Sequence, residues 1–129
     1  MILTINCGSS TIKYQLFTTD VSTVVAKGII SRIGEEGSYF EQEARGRKIR
    51  QPAPVPNHHR AFEICIRNLL DPDYGAIGDI HDIEAVGHRA VHGADLFIAS
   101  TVIDDDVIAK MEECVPLAPL HNPPNLIGI

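Results

Sequence analysis

Apolar and polar residues alternate along the first half of the chain in a way that predicts β-strands. Within residues 11–17, Ile12, Tyr14 and Leu16 fall on one side and mainly polar residues fall on the other, which is the period of two expected of a strand with one buried face. The same pattern, or a β-branched composition, predicts a buried strand at 2–6, a strand at 24–33, and a hairpin of 39–44 and 48–51. The first half of the chain is therefore predicted to be mainly β.

The second half of the chain alternates between helical and extended patterns. A proline-rich connector leads into residues 59–70, where apolar side chains recur at helical spacing. Beyond it we predict a buried strand at 83–92, a strand at 97–103, a helix from 104 to about 114, a proline-rich loop at 116–124, and a last helix with Asn122 as its N-cap. This order of elements predicts a mixed α/β or α+β layer. Because the last helix has only just begun when the chain stops, we expect the chain to be truncated at its C-terminal end.

Length, composition and charge narrow the class of protein. A chain of 129 residues has room for one domain, residues 1–129, and it holds no apolar stretch long enough to span a membrane. Seventeen acidic residues oppose eleven basic ones, and the formal net charge is −6. We interpret the basic residues 45–50 as a solvated hairpin, so we expect no nucleic-acid partner. The three cysteines form no CxxC pair and the chain starts without a signal peptide, which favours the cytoplasm.

The turn after the first predicted strand carries groups that suit phosphate. Gly8 lets the backbone approach a ligand closely, and Lys13 supplies a positive charge. Hydroxyl groups stand between them at three positions: Ser9, Ser10 and Thr11. The segment is neither a Walker A loop nor a GxGxxG loop. A plain hairpin whose small residues merely make the turn remains an alternative interpretation.

A second motif spans residues 87–94 at the end of a predicted strand. His88 and His92 would lie roughly 13 Å apart on a strand, which is too far for two ligands of one metal ion. Arg89 and Val91 would share one face of that strand. A guanidinium group beside a small apolar wall suits a short carboxylic acid. The alternative is that Arg89 forms a structural ion pair and the histidines fill the core.

A third motif is the proline-rich loop before the last predicted helix. His121 stands just before the helix start, where it could donate to a developing phosphoryl charge. The alternative interpretation is a packed loop residue beside an N-cap. The acidic run 104–106 has the spacing of a helix cap rather than that of a calcium loop, so we predict no metal site there.

Taken together, the three segments resemble the acetate kinase family, within the acetate and propionate kinase group. The matching stretches are INCGSSTIK at residues 5–13, VGHRAVHG at 86–93 and PLAPLHN at 116–122, in the family's order and spacing. The resemblance implies the duplicated α/β fold of actin, hexokinase and the heat-shock ATPases, a ribonuclease H-like mixed sheet flanked by helices. This chain would be most of the N-terminal half of that fold.

The resemblance also implies the reaction and its cofactors. The family transfers a phosphoryl group reversibly from ATP to acetate, giving acetyl phosphate and ADP, with Mg²⁺ or, as an alternative, Mn²⁺. Asn6 matches an asparagine of the magnesium and phosphate region. The phosphate-side hydroxyls and lysine of the family are matched by Ser9, Thr11 and Lys13.

The resemblance assigns the other two motifs to the acid and to the transferring phosphoryl group. Arg89 matches the arginine that binds the substrate carboxylate, and His121 matches a histidine near the phosphoryl group, so both are expected to be catalytic. Val91 and Leu120 match walls of the acetate pocket. The strand pattern places Arg89 and Val91 on one face independently of the family.

Further family residues would lie beyond residue 129, so we expect the isolated chain to be inactive. We also expect the parent enzyme to be a homodimer, and we expect no membrane partner. Two alternatives stay open from the residues. One is a propionate or butyrate kinase, since one methylene in a pocket is worth only about 1–3 kcal/mol. The other is a non-catalytic nucleotide-binding module.

Overall fold

A six-stranded mixed sheet forms the frame of the molecule, with strand order β5-β4-β3-β2-β1-β6. The fold is taken from a computed structural model that describes residues 1–90, 97, 99–120 and 122–129. The strands are β1 (Ile2–Cys7), β2 (Thr11–Phe17), β3 (Val24–Ser31), β4 (Tyr39–Ala44), β5 (Arg47–Pro52) and β6 (Ala85–Arg89). The α-helices are α1 (His58–Leu69), α2 (Asp105–Glu113) and α3 (Asn122–Gly128), and short 3-10 turns cover Ile80–Asp82 and Val115–Leu117.

The first five strands form a meander in which each strand pairs antiparallel with the next. Strand β6 returns to the other side of β1 and pairs with it in parallel, from Ile2 opposite Ala85 to Asn6 opposite Arg89. A parallel pair needs a long crossover, and α1 lies in that crossover. The topology therefore brings residues about 80 positions apart in sequence into direct register.

One face of the sheet packs against helices, as the alternating pattern predicts. Ile12, Tyr14 and Leu16 are buried on this face, which we call the helix face. Helix α1 contributes four buried apolar residues to the same core: Ala61, Ile64, Cys65 and Leu69. Helix α3 packs against β1 and β6. The opposite face carries exposed polar side chains, among them those of Lys13 and Gln15, and we call it the open face.

A buried polar network links the sheet to the segment that follows α1. The Tyr14 hydroxyl donates to Oε1 of Gln42 at 2.7 Å, and Gln42 Nε2 donates to the Asn68 and Tyr74 carbonyls at 2.9 and 3.0 Å. Burial raises the pKa of Tyr14, so its hydroxyl stays protonated and keeps its donor role. Because buried polar groups are costly when unpaired, this network fixes where β2, β4 and α1 meet.

Side chains cap the starts of α1 and α2. Asn57 Oδ1 accepts from the Arg60 amide at 2.9 Å at the start of α1, and Asp104 Oδ1 accepts from the Val107 amide at 2.8 Å at the start of α2. The predicted cap role of the acidic run 104–106 is therefore confirmed. Asn122, predicted as the N-cap of the last helix, is instead the first residue of α3, and its Nδ2 donates to the Cys114 carbonyl at 2.8 Å.

Two predicted strands differ from the structure. Residues 97 and 99–103 are not a strand, and Val102 is 88% exposed. This apolar run has no partner among the described strands, and β-propensity alone does not form a strand without neighbouring strands to pack against. Within the described residues, the strand predicted at 83–92 covers Ala85–Arg89; it begins at Ala85 because β1, on which it pairs, begins at Ile2. Residues 91 and 92 lie outside the described residues. That strand is also mostly exposed rather than buried, since it lies at the edge of the described sheet.

None of the helices in the described part of the chain is both long and apolar enough to cross a membrane.

Candidate active site

Three polar residues from two distant motifs form one row across neighbouring strands. Asn6 on β1 lies directly opposite Lys13 on β2 and, on its other side, opposite Arg89 on β6. Cross-strand partners share a face of the sheet, so all three project from the open face. The row lies at the carboxyl end of β1 and β6, where the Gly8 turn and the segment after Arg89 begin.

The charges of this row are not compensated by the described part of the chain. Neither Lys13 nor Arg89 has a carboxylate partner among the described residues. Other charged groups of the open face are paired: Lys27 with Glu43 at 3.1 Å, and Lys48 with Glu41 at 2.7 Å. The alternative in which Arg89 serves a structural ion pair therefore finds no partner in the described residues.

A broad depression of about 720 Å³ lies over this part of the open face. Its lining includes Asn6, Lys13 and Arg89 together with the paired charges farther along the sheet. Two cations about two strand spacings apart, with an amide between them, attract an anion and can bind its oxygens. This part of the open face therefore carries the two cations, Lys13 from β2 and Arg89 from β6, that an anion site needs.

The turn between β1 and β2 closes on itself and leaves its hydroxyls outward. The Gly8 amide donates to the Thr11 carbonyl at 2.7 Å, and the Ile33 amide donates to the Ser10 carbonyl at 3.0 Å. Ser9 is exposed and Thr11 is partly exposed. The turn is a plain hairpin in its geometry, yet it places these hydroxyls next to the row that contains Lys13.

Helix α1 touches the same turn through its first residue. His58 Nε2 lies 2.8 Å from the Gly8 carbonyl oxygen and is partly buried. Neighbouring His59 is exposed. In the sequence, His58 and His59 are only an adjacent pair near a helix start. Nothing in the sequence links residue 58 to residue 8, so this contact was missed.

Cys7 and His88 lie on the helix face and not in the row. Cys7 is 1% exposed, and burial raises the pKa of its thiol to about 11, which suits a structural rather than a nucleophilic thiol. Burial also lowers the pKa of His88. A Cβ atom added at Gly128 would lie 3.0 Å from Cys7 Sγ and 3.0 Å from His88 Cε1, so α3 packs directly on both residues. His88 is therefore partly buried under α3 and does not belong to the row. His92, the other histidine of this motif, lies outside the described residues.

The third motif reaches the same end of the sheet through α3. Asn125 Nδ2 donates to the Cys7 carbonyl at 3.0 Å, which fixes α3 beside the carboxyl end of β1. Leu120 lies in the turn before α3 and is 70% exposed, and its site role stays a prediction. Val91 and His121 lie outside the described residues, and their site roles stay predictions. Sequence reasoning singled out Asn122 of this motif, as a helix cap, and did not single out Asn125, whose contact with Cys7 spans 118 positions.

The donor set near the row suits a magnesium ion only as a partner of phosphate. Asn6 offers one amide oxygen, and Mg²⁺ prefers oxygen ligands, several of which are usually water and substrate phosphate. Among the described residues, no group of three or more His, Cys, Asp or Glu side chains is arranged to hold a metal. Asn6 therefore fits one ligand position of an ion that is bound mainly through a nucleotide.

Comparison with known proteins places the whole chain in one group. The sequence model of the acetokinase family matches residues 1–129. An acetate kinase of Clostridium botulinum (strain Okra / Type B1) is 48% identical over 128 residues, which are 99% of this chain and 32% of that protein. The chain thus spans about a third of the length of the curated relatives it matches.

Two solved structures of kinases are similar to this chain over nearly all of its length. The crystal structure of Porphyromonas gingivalis acetate kinase superposes with a TM-score of 0.91 at 44% identity, covering 98% of this chain and 32% of that one. A propionate kinase from Francisella tularensis superposes with a TM-score of 0.84 at 31% identity, with the same coverage.

Proposed function

Because the chain belongs to the acetokinase family, we propose that it is the phosphate-binding and acid-binding part of an acetate kinase. The complete enzyme transfers a phosphoryl group reversibly from ATP to acetate, giving acetyl phosphate and ADP. The mixed sheet with its three helices is the expected fold of actin and hexokinase type. Residues 1–129 would form a single N-terminal domain of that enzyme.

The row of Arg89, Asn6 and Lys13 is the observation that carries this proposal. It joins the first motif to the second in direct register, although about 80 residues separate them. A carboxylate is already a nucleophile, so the reaction needs positioning and charge neutralisation rather than a strong base. Arg89 would orient the acid, and Lys13 would bind the phosphate chain.

The remaining first-motif residues would serve the nucleotide. Ser9 and Thr11 offer hydroxyls beside Lys13, and Asn6 would offer its amide oxygen to Mg²⁺ or Mn²⁺. The ion, when bound with the nucleotide, neutralises phosphate charge. Val91 and Leu120 would line the acid pocket, and His121 would donate to the transferring phosphoryl group.

Acetate is the proposed acid over propionate or butyrate because the acetate kinase structure is more similar than the propionate kinase, at 44% against 31% identity. A series of these acids, tested on the full-length protein, decides between them.

We further propose that the enzyme is a homodimer. The three cysteines described as free thiols are consistent with a reducing compartment such as the cytoplasm.

The test compares two arginines of the open face in the full-length protein. Arg89→Ala should raise KM for acetate and lower kcat, together by about 10-fold or more, because a charged hydrogen bond to the carboxylate is lost. Arg50 lies in the same cross-strand row at the far end of the sheet, with its guanidinium 3.9 Å from the Tyr39 ring centre. Arg50→Ala is the control and should leave both constants unchanged. Equal kinetics of the two variants would remove Arg89 from the site.

A further inference from the structure

The contact between His58 and the Gly8 carbonyl fixes the orientation of a whole peptide group. A carbonyl oxygen only accepts, so Nε2 of His58 must carry the hydrogen in this 2.8 Å contact. The peptide that joins Gly8 to Ser9 is trans, and a planar trans peptide points its N–H opposite to its C=O. Holding the Gly8 oxygen towards α1 therefore directs the Ser9 N–H away from α1.

The direction of the Ser9 N–H matters because α1 covers the helix face of the sheet. A group that points away from α1 is directed to the side on which Lys13 and Arg89 lie. None of the described residues accepts a hydrogen bond from the Ser9 amide, and Ser9 is exposed. The amide is thus presented as a donor beside two cations.

Gly8 makes an anchor of this kind necessary. The peptide between Gly8 and Ser9 rotates through ψ of Gly8 and φ of Ser9, and the missing Cβ of Gly8 removes steric resistance on its side. The peptide can therefore turn its carbonyl oxygen outward unless something holds it. An outward carbonyl would repel a phosphate. His58 resists the flip from a rigid position, because it is the first residue of α1, which Asn57 caps and which Ala61 and Ile64 dock into the core.

We propose that His58 is a positioning residue for the nucleotide: it locks the peptide between Gly8 and Ser9 so that the Ser9 N–H faces the phosphate groups. This inference rests on the proposed function, because it takes the bound anion to be the phosphate chain of ATP or ADP. His58 itself does not touch the substrate.

The experiment uses a pair of substitutions of equal size in the full-length protein. In His58→Gln the side-chain amide can still donate to the Gly8 carbonyl, whereas in His58→Met no donor remains. His59→Met, on the exposed neighbour, is the control for a methionine at this end of α1. The measurements are the Kd of Mg-ADP by calorimetry, the KM values for ATP and for acetate, and thermal melts.

We expect His58→Met to weaken ADP binding and raise KM for ATP by about 5- to 10-fold, the effect of one hydrogen bond. KM for acetate should stay within about twofold, since Arg89 lies on another strand, and His58→Gln should stay within about twofold of wild type for ATP. Equal ADP affinity in the Gln and Met variants would overturn the proposal, as would an equal rise of both KM values. If His58→Met does not fold, His58→Glu, which has the size of Gln but only accepts at neutral pH, must show the same loss.

The failure of this inference is separable from failure of the proposed function. A wild-type protein that binds Mg-ADP but makes no acetyl phosphate would refute the acetate kinase assignment, and the ADP affinities of the variants would still decide the role of His58. A wild-type protein that binds no Mg-ADP would overturn both.

Discussion

Replacing Lys13 by methionine should weaken nucleotide binding without lowering the stability of the fold. Lys13 has no carboxylate partner in the described part of the chain, and it shares the open face with Arg89. Two strand spacings put their Cα atoms roughly 10 Å apart. At that distance, two like charges in water repel by about 0.4 kcal/mol, and salt lowers this further. Lys13→Met should therefore leave the free energy of unfolding unchanged or raise it slightly.

The effect on nucleotide binding should be much larger and of opposite sign. A hydrogen bond from an ammonium group to phosphate is worth about 1.5–3 kcal/mol, which corresponds to about a 10- to 150-fold loss of affinity for ATP. Compact, flexible methionine keeps most of the side-chain volume, so the change removes mainly the charge and its donors.

Lys27 provides the matched control on the same face. Its ammonium group pairs with Glu43 at 3.1 Å, and its side chain is 53% exposed. Lys27→Met should cost up to about 1 kcal/mol of stability, as exposed ion pairs do, and should leave ATP binding unchanged. The assays are urea denaturation and KM for ATP in the full-length protein. Equal effects of the two substitutions on ATP would refute the assignment of Lys13 to the phosphate chain.

Two further predictions concern the core beneath the site. Tyr14→Phe should cost about 1–3 kcal/mol in urea denaturation, because it leaves the buried Oε1 of Gln42 without its donor, whereas Tyr39→Phe, on a partly exposed ring, should cost about 0.5 kcal/mol or less. Burial raises the pKa of the Cys7 thiol from 9.0 to about 11, so between these pH values the thiol ionises in the unfolded chain but not in the folded one. The free energy of unfolding is therefore unaffected by this thiol below pH 9 and falls as the pH rises towards 11, by about 1.4 kcal/mol at pH 10. Urea denaturation at pH 8 and pH 10 should show a smaller loss for Cys7→Ala than for wild type, and an equal loss would contradict the buried-thiol interpretation.

The local sequence pattern was sufficient to predict a strand wherever that strand had its partner nearby in sequence. The ranges of β2 and β4 are those predicted, because a meander pairs each strand with its neighbour and the period-two pattern selects the buried side. The start of α2 at the Asp104 cap also follows from adjacent residues. In these segments the free energy depends on neighbours a few residues apart, so the sequence contains the needed information.

Prediction failed where the outcome depended on a distant partner. The apolar run at 97–103 has strand composition but no partner among the described strands, and β6 begins at Ala85, opposite the start of β1, rather than at Ile83, where its own pattern begins. Strand preference mainly reflects packing against neighbouring strands, so composition alone does not settle such segments.

The sequence by itself determined the chemistry that the site contains: the small turn residues around Gly8, the cations Lys13 and Arg89, and the amide of Asn6. The tertiary structure decided their arrangement, because only the parallel return of β6 onto β1 places Arg89 opposite Asn6. It also decided the second role of α1, whose His58 meets Gly8 across 50 residues of chain. Contacts of this range depend on loop closure and on the packing of the whole core, and neither leaves a local signal in the sequence.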